Sequence, residues 1–393
     1  MESNDVKITY EMAVPADYDE IIDFANFVFS YAHEPHEFKV LIPKAYGPDR
    51  TMWPTHFLAR ENGRIRGLVG LEQYSLRVLG EELKYGFIGT VSVHQYSRGK
   101  GHMKKCMAMS TQYAREHGID IMMLGGQRQR YEYYGYEPGA VAYSFEITRT
   151  NCRHALSAVN TDGISFKPFA DVRDRMKEIF DIYESGPVYG ARSLDNFEQI
   201  CMTWRNCPYA VLSGQYIIGY IVASADGSDI SELRLKDSAD FDVVIKAYLS
   251  VFDRKSVSVR IPPHRPADVR AASLICEEAN VSPSEMIMIL NYERVVKTYL
   301  RLKQHIEGNL PDGHVALGIS GLSGEGISTL AISVQGGEID CRFTDDTPDI
   351  VLSPLAVQNL MLSPVTYVDM SQLPDCARRY FPLPIYMESA DCF

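Results

Sequence analysis

Between positions 91 and 103 the chain reads Val91-Ser92-Val93-His94-Gln95-Tyr96-Ser97-Arg98-Gly99-Lys100-Gly101-His102-Met103. A strand, a short glycine-bearing loop and a helix start follow one another without a gap. Such a junction presents consecutive backbone N–H groups to an anion, and the dipole of the next helix adds to the attraction. Glycine at 99 and 101 lets the backbone come close, while Arg98 and Lys100 can neutralise charge on the same phosphates. The spacing is not that of a Walker loop, which needs four residues between Gly and Gly-Lys-Ser/Thr, nor that of a dinucleotide fingerprint. Two readings remain at this point, a phosphate-bearing ligand of another kind or a basic surface turn.

The signals around the loop alternate helix and strand. Residues 17–29 carry Ile21, Ile22, Ala25 and Val28 on one helical stripe. Residues 55–61 and 64–78 read as strands joined through Asn62-Gly63, a strong hairpin turn. Leu79-Gly80 turns the chain into a further strand, 84–93. The helix after the loop runs to His117 and stops at Gly118. Residues 119–124 are almost wholly apolar, like a strand buried on both faces. Gly125-Gly126, a short Tyr-rich helix and a strand over 141–148 complete this part. A similar rhythm returns between about 160 and 290: a helix over 171–185, strands over 209–212, 216–225 and 230–235, a helix over 239–252 and a strand over 256–261. The last hundred residues differ, with helices over 295–306 and 355–362 around strands 315–319, 328–334 and 338–343. There the glycines of 321–326 read as a hairpin loop and not as a nucleotide loop. The pattern predicts an α/β (α+β) fold in three parts, 1–150, 151–290 and 291–393.

Composition narrows the partners. With 46% hydrophobic and 23% charged residues the chain is an ordinary globular protein. A formal net charge of -12 repels phosphate backbones and anionic lipid, which argues against nucleic acid or a membrane as partner and favours cationic substrates. No apolar run reaches the roughly 20 residues of a membrane span, and Met1 to Asp5 lack the basic and apolar parts of a signal peptide. A cytoplasmic protein is expected. The eight cysteines are scattered without a Cys-x-x-Cys pair, as reduced thiols with no zinc site. His33 and His36 flank Pro35, which breaks any helix aiming both at one metal. No metal is expected.

The order of elements around the loop resembles the GCN5-related N-acetyltransferase superfamily, whose loop Arg/Gln-x-x-Gly-x-Gly/Ala holds the pyrophosphate of coenzyme A. Arg98 to Met103 follows that pattern except at the end, where Met103 replaces a small residue. The resemblance implies acetyl-CoA as acyl donor. It also implies pantetheine contacts along Val91, Ser92 and Val93, the last offering its N–H to the thioester oxyanion, and phosphate contacts along Arg98, Gly99, Lys100, Gly101, His102 and Met103. The full length is similar to the enhanced intracellular survival (Eis) type of acetyltransferase. Those proteins join an active and a degenerate acetyltransferase domain, tandem mixed-sheet units, to a sterol-carrier-protein-like α+β domain. Tyr131-Glu132-Tyr133-Tyr134-Gly135-Tyr136-Glu137-Pro138 resembles their Tyr-x-x-Phe-Gly-Tyr-x-Pro segment. This assigns Tyr131 as the acid that protonates the leaving thiolate, and the carboxylate of Phe393, threaded back to the first domain, as the base. His94 is the alternative base. The likeness further implies a primary amine on an aminoglycoside- or polyamine-like molecule as acceptor, and a homo-hexameric assembly.

The middle part lacks the loop. Its equivalent junction, Leu233 to Asp240, has no glycine and places Asp237 and Asp240 where phosphate would sit, so one coenzyme A site per chain is expected. Two other readings are open. Tandem domains of this kind also occur in enzymes that transfer amino acids from tRNA to cell-wall peptides, which the net charge and the intact first loop oppose. A non-enzymatic lipid- or ligand-binding protein would act through the last domain alone.

Overall fold

The computed structural model describes residues 6–32, 34–48, 52–322 and 324–393. His33, half of the histidine pair, lies outside them, and no group of His, Cys, Asp and Glu able to hold a metal occurs among the described residues.

Four antiparallel strands open the fold: β1 (Ile8–Met12), β2 (Thr55–Glu61), β3 (Arg64–Val78) and β4 (Glu81–Val93). The two hairpins that join the last three turn on Asn62-Gly63 and Leu79-Gly80, all four with φ between 50° and 83°. Left-handed backbone at both central positions makes type I′ turns, whose twist matches that of paired strands. Parallel to β4 lies β5 (Ile121–Leu124), buried at every position, and β6 (Glu137–Thr148) follows. Helix α1 (Tyr18–Ala32) buries Ile21, Ile22, Phe24 and Ala25 against one face of this sheet. The short α2 (Pro43–Tyr46) lies in the same core, α3 (His102–Glu116) covers the other face, and α4 (Arg128–Tyr131) precedes β6.

The middle of the chain builds the same strand order again. β7 (Ile164–Pro168), β9 (Cys207–Ser213), β10 (Tyr216–Ala223) and β11 (Asp229–Leu235) are antiparallel neighbours, and β12 (Ser256–Ile261) is parallel to β11. Between β7 and β9, helix α5 (Met176–Glu184) leads to β8 (Val188–Gly190), which pairs with the far end of β3. Helix α6 (Phe241–Val251) separates β11 from β12, and α7 (Pro266–Ile275) leads to β13 (Glu278–Ile289). The two halves then exchange strands. β13 inserts between β5 and β6, and β6 pairs on its other edge with β12, so one 13-stranded sheet runs through both.

In the last part α8 (Tyr292–Glu307) packs between that sheet and a second one. The second sheet, ordered β16-β15-β14-β17, comprises β14 (Gly313–Ser320), β15 (Ile327–Gln335), β16 (Glu338–Thr344) and β17 (Ile350–Leu352), with α9 (Pro354–Leu362) after it. Val295, Tyr299 and Leu302 of α8 share one core with Leu83 and Tyr85 of β4 and with Leu317 and Leu330 of the second sheet. β14 and β15, on either side of 321–326, are antiparallel neighbours; Ser323 of that stretch lies outside the described residues.

Several elements escape the sequence pattern, among them β1, α7 and β13. β1 and α7 are short and half exposed, and β13 carries Pro283 at its centre with a polar, exposed N-terminal half. The helix expected over 171–185 begins as a tight turn that departs from helical geometry at Val172, φ -132°, before α5 proper.

Candidate active site

The site begins with a defect in β4. Leu68 lies opposite Ser92 and Gly70 opposite Gly89, so β4 spends one residue more than β3 across the same stretch. The extra residue sits beside Thr90, whose φ of 48° is left-handed, the mark of a bulge that bends the strand. Ser92 stabilises it by donating its hydroxyl to the Thr90 carbonyl at 2.9 Å, and its side chain is therefore turned inward and buried. The parallel pairing of β4 with β5 ends at Ile88 and Leu124. Beyond it, among the described residues, no strand pairs with that edge of β4 from Gly89 to Val93. His94 donates its N–H to Arg66 on the β3 side. Alternation along an extended strand therefore turns the N–H groups of Val93 and Val91 to the open side. Val91 packs its side chain with the α3 core.

At the end of this edge stands the loop. Gly99 and Gly101 have φ of 81° and 82°, and a Cβ at either would meet only open space. Backbone conformation, not crowding, requires glycine here. Gly101 is the N-cap of α3 and no side chain caps the helix, leaving the first-turn N–H groups without intrahelical partners. Arg98 is exposed and no ion pair joins it to another described residue. Lys100 differs: its Nζ lies 2.8 and 3.0 Å from the two oxygens of Glu61. His102 is buried, with Nε2 2.8 Å from Glu61 and Nδ1 3.1 Å from the Tyr10 hydroxyl. Hydrogen bonds from His102 and Lys100 hold the Glu61 carboxyl down to about 2. Glu61, which sequence reading passed over, thus ties the loop to β2. The half-buried Met103 packs with the α3 core.

Tyr131 and Phe393 flank the point where β4 and β5 part. Tyr131 is buried in the α3-side core with Ile88 and Leu124, its ring against Gly126, where a Cβ would overlap it. Burial raises its pKa, opposed in part by Arg130, so the phenol keeps its proton. Phe393 is 7% exposed and belongs to the core on the opposite face. Its ring fills the space where Gly89 and Gly70 lack side chains; a Cβ on Gly70 would stand 2.8 Å from it. Tyr46 packs against it with tilted rings, 5.7 Å between centroids, and the Tyr46 hydroxyl bonds His56 Nε2 at 2.9 Å and Thr90 Oγ1 at 3.2 Å. Burial pushes His56 down to about 3, so it is neutral. His94 stacks on Phe27 at 5.5 Å and its Nδ1 accepts the Tyr96 N–H.

The middle half offers no such slot. Asp237 caps the turn after β11 by accepting the Ala239 N–H at 2.9 Å, and Asp240 stands at the N-cap of α6, the place that Gly101 takes before α3. Arg265 donates to the Leu233 carbonyl on the β11 edge. The position that an incoming ligand would need is occupied from within the chain.

Residues 9–139 match the family model of the acetyltransferase (GNAT) domain. No curated protein matches the chain. Among solved structures, Eis1 from Mycobacterium abscessus superposes with a TM-score of 0.66 at 13% identity, covering 98% of this chain and all of the other. A conserved protein of unknown function from Enterococcus faecalis V583, described as a probable N-acyltransferase, gives 0.66 at 14% identity over 95% of each chain. A GCN5-related N-acetyltransferase from Anabaena variabilis ATCC 29413 gives 0.64 at 13%, over 98% and 100%. At these identities the likeness is one of fold, and it extends over nearly the whole length. Residues 9–139 therefore form a GNAT-family acetyltransferase domain, the kind of enzyme domain that takes its acetyl group from acetyl-coenzyme A.

Proposed function

We propose that the chain transfers the acetyl group of acetyl-CoA directly to a primary amine of a cationic small molecule, aminoglycoside- or polyamine-like, within a ternary complex. The observation that carries this reading is the open edge of β4, Gly89 to Val93, leading to the uncapped N-terminus of α3. An extended amide-bearing arm can pair with such an edge, and a pyrophosphate can sit on the N–H groups at its end. Arg98 supplies the free cation there, with Lys100 oriented by Glu61. The N–H of Val93 is the donor for charge developing on the thioester oxygen.

In this scheme the amine must shed a proton to attack, and the carboxylate of Phe393 accepts it. The tail seats Phe393 beside Gly89, next to the last residue of β4 that pairs with β5. Tyr131, protonated at neutral pH, gives its proton to the departing thiolate. The preference for a cationic acceptor rests on the net charge of -12 and on the resemblance to Eis-type enzymes. Thiol release from acetyl-CoA, followed against a panel of polyamines, aminoglycosides and neutral amines, tests the reading. Amine-dependent release that favours polycations is expected. Release that ignores the amine, or that requires a neutral or tRNA-linked acceptor, would contradict it.

A further inference from the structure

The tail that carries Phe393 is held by charges buried between the two halves of the large sheet. Arg192, which follows β8, places Nε 2.8 Å and Nη2 3.0 Å from the two oxygens of Asp391, and Nη2 2.9 Å from Glu232 of β11. Its guanidinium lies 4.4 Å from the centre of the Tyr183 ring. Arg234, also on β11, pairs with Glu388 at 2.9 Å. From the other side, Lys44 of α2 donates to the Asp391 carbonyl at 2.8 Å and pairs with Glu72 of β3 at 3.1 Å. Arg192 and its two carboxylate partners have side chains at most 7% exposed. Burial works against the Arg192 charge, but Asp391 and Glu232 outweigh it and raise its pKa.

Buried ion pairs of this kind are weak stabilisers of a fold, because desolvation consumes most of the Coulombic gain. They are strong determinants of place, since separating the partners leaves an uncompensated charge. Asp391 is fixed twice, by its side chain to the middle half and by its carbonyl to the first. Two further residues of chain reach at most about 7 Å, so Phe393 has little freedom once Asp391 is anchored. Arg234 of β11 holds Glu388 directly, and Glu232 of the same strand holds Arg192, the partner of Asp391.

We infer that the middle half is a clamp for the chain's own tail, with Arg192 and Arg234 as positioning residues that set Phe393 in the active site of the first half. The clamp itself stands on the geometry. Its catalytic consequence rests on the function proposed above.

Asp391→Asn removes one charge and keeps the shape. Hydrogen–deuterium exchange of the segment 386–393, together with kcat and KM for acetyl-CoA with spermidine as acceptor, reads both consequences. Exchange at position 391 and at Cys392 should quicken by at least about tenfold, with the rest of the chain unchanged, as expected for local release. The turnover kcat should fall by at least about tenfold while KM for acetyl-CoA moves less than about twofold, a split that a general loss of structure would not give. Arg192→Lys, which keeps the charge but loses the two-pronged geometry, should lie between. Unchanged exchange in Asp391→Asn would overturn the clamp. Faster exchange with full kcat would leave the clamp standing and overturn the role given to Phe393. Should Asp391→Asn fail to fold, Glu388→Gln, which breaks the pair with Arg234, is read by the same two measurements.

Discussion

Gly70 and Gly89 show how much a single residue can decide here. Each leaves a hole in the sheet where a Cβ would collide with the Phe393 ring, and a lone glycine inside a strand is a known sign of a bulge or of close approach. That signal was present in the sequence, although the glycines themselves did not name the occupant; Phe393 was named only through the resemblance to Eis-type enzymes. Tyr131, the proposed acid, was singled out from its motif, and its burial beside Leu124 suits the protonated phenol that the proposal needs. Tyr131→Phe should lower kcat by about 10²–10⁴-fold, the usual contribution of a general acid, with coenzyme A affinity preserved; steady-state kinetics and a binding titration on the same variant check it. His56 gives a second, independent prediction. Its pKa falls from about 6.5 to about 3 on folding, so between those values the unfolded chain binds more protons and stability is lost as pH falls. Glu72 and Glu285, pushed up to about 7 chiefly by burial, act in the opposite sense, losing stability as pH rises towards 7. Comparison with a variant isolates the histidine: between pH 7 and 5 the wild type should lose about 2 kcal/mol more than His56→Gln, measured by urea unfolding at both pH values.

Among the elements, the hairpins and the loop–helix junction were readable because their chemistry is local. Left-handed turns favour Asn-Gly, or Gly at one central position as after Leu79, and a helix opening on Gly101 declares itself. What stayed hidden depends on partners distant in sequence. Pro283 speaks against β13 as an interior strand, and only its pairing with β5 and β6 explains it. Lys100 looked equivalent to Arg98, yet Glu61, thirty-nine residues away, holds one and not the other. The contrast between β4 and β11 is the element-scale argument for a single donor site: one edge is open above two glycines, the other is bonded by Arg265 and capped by Asp237. Replacing Arg98 by Glu and Gly101 by Asp together should raise the coenzyme A dissociation constant by at least about tenfold, or ~1.4 kcal/mol. Unchanged affinity, with the circular dichroism of the native fold, would remove the loop from the site.

For the whole molecule, the exchange of β6 and β13 means that neither half completes its sheet alone. The tail crosses both again, bonding Ile385 to Val141, Ser389 to Arg260 and Asp391 to Lys44 and Arg192. The sequence pattern marked three parts and a repeated rhythm, but periodicity carries no record of which strand pairs with which, so the shared sheet was beyond its reach. No helix among the described residues is long and apolar enough to cross a membrane. Two similar strand orders in one chain allow zero, one or two donor sites, and we propose one, in the first half. Calorimetric titration of the full chain with acetyl-CoA counts them directly. A stoichiometry of one per chain, abolished or weakened by the Arg98 and Gly101 substitutions and untouched by Asp237→Ala, is the expected result; two sites per chain, or one that survives the loop substitutions intact, would contradict it.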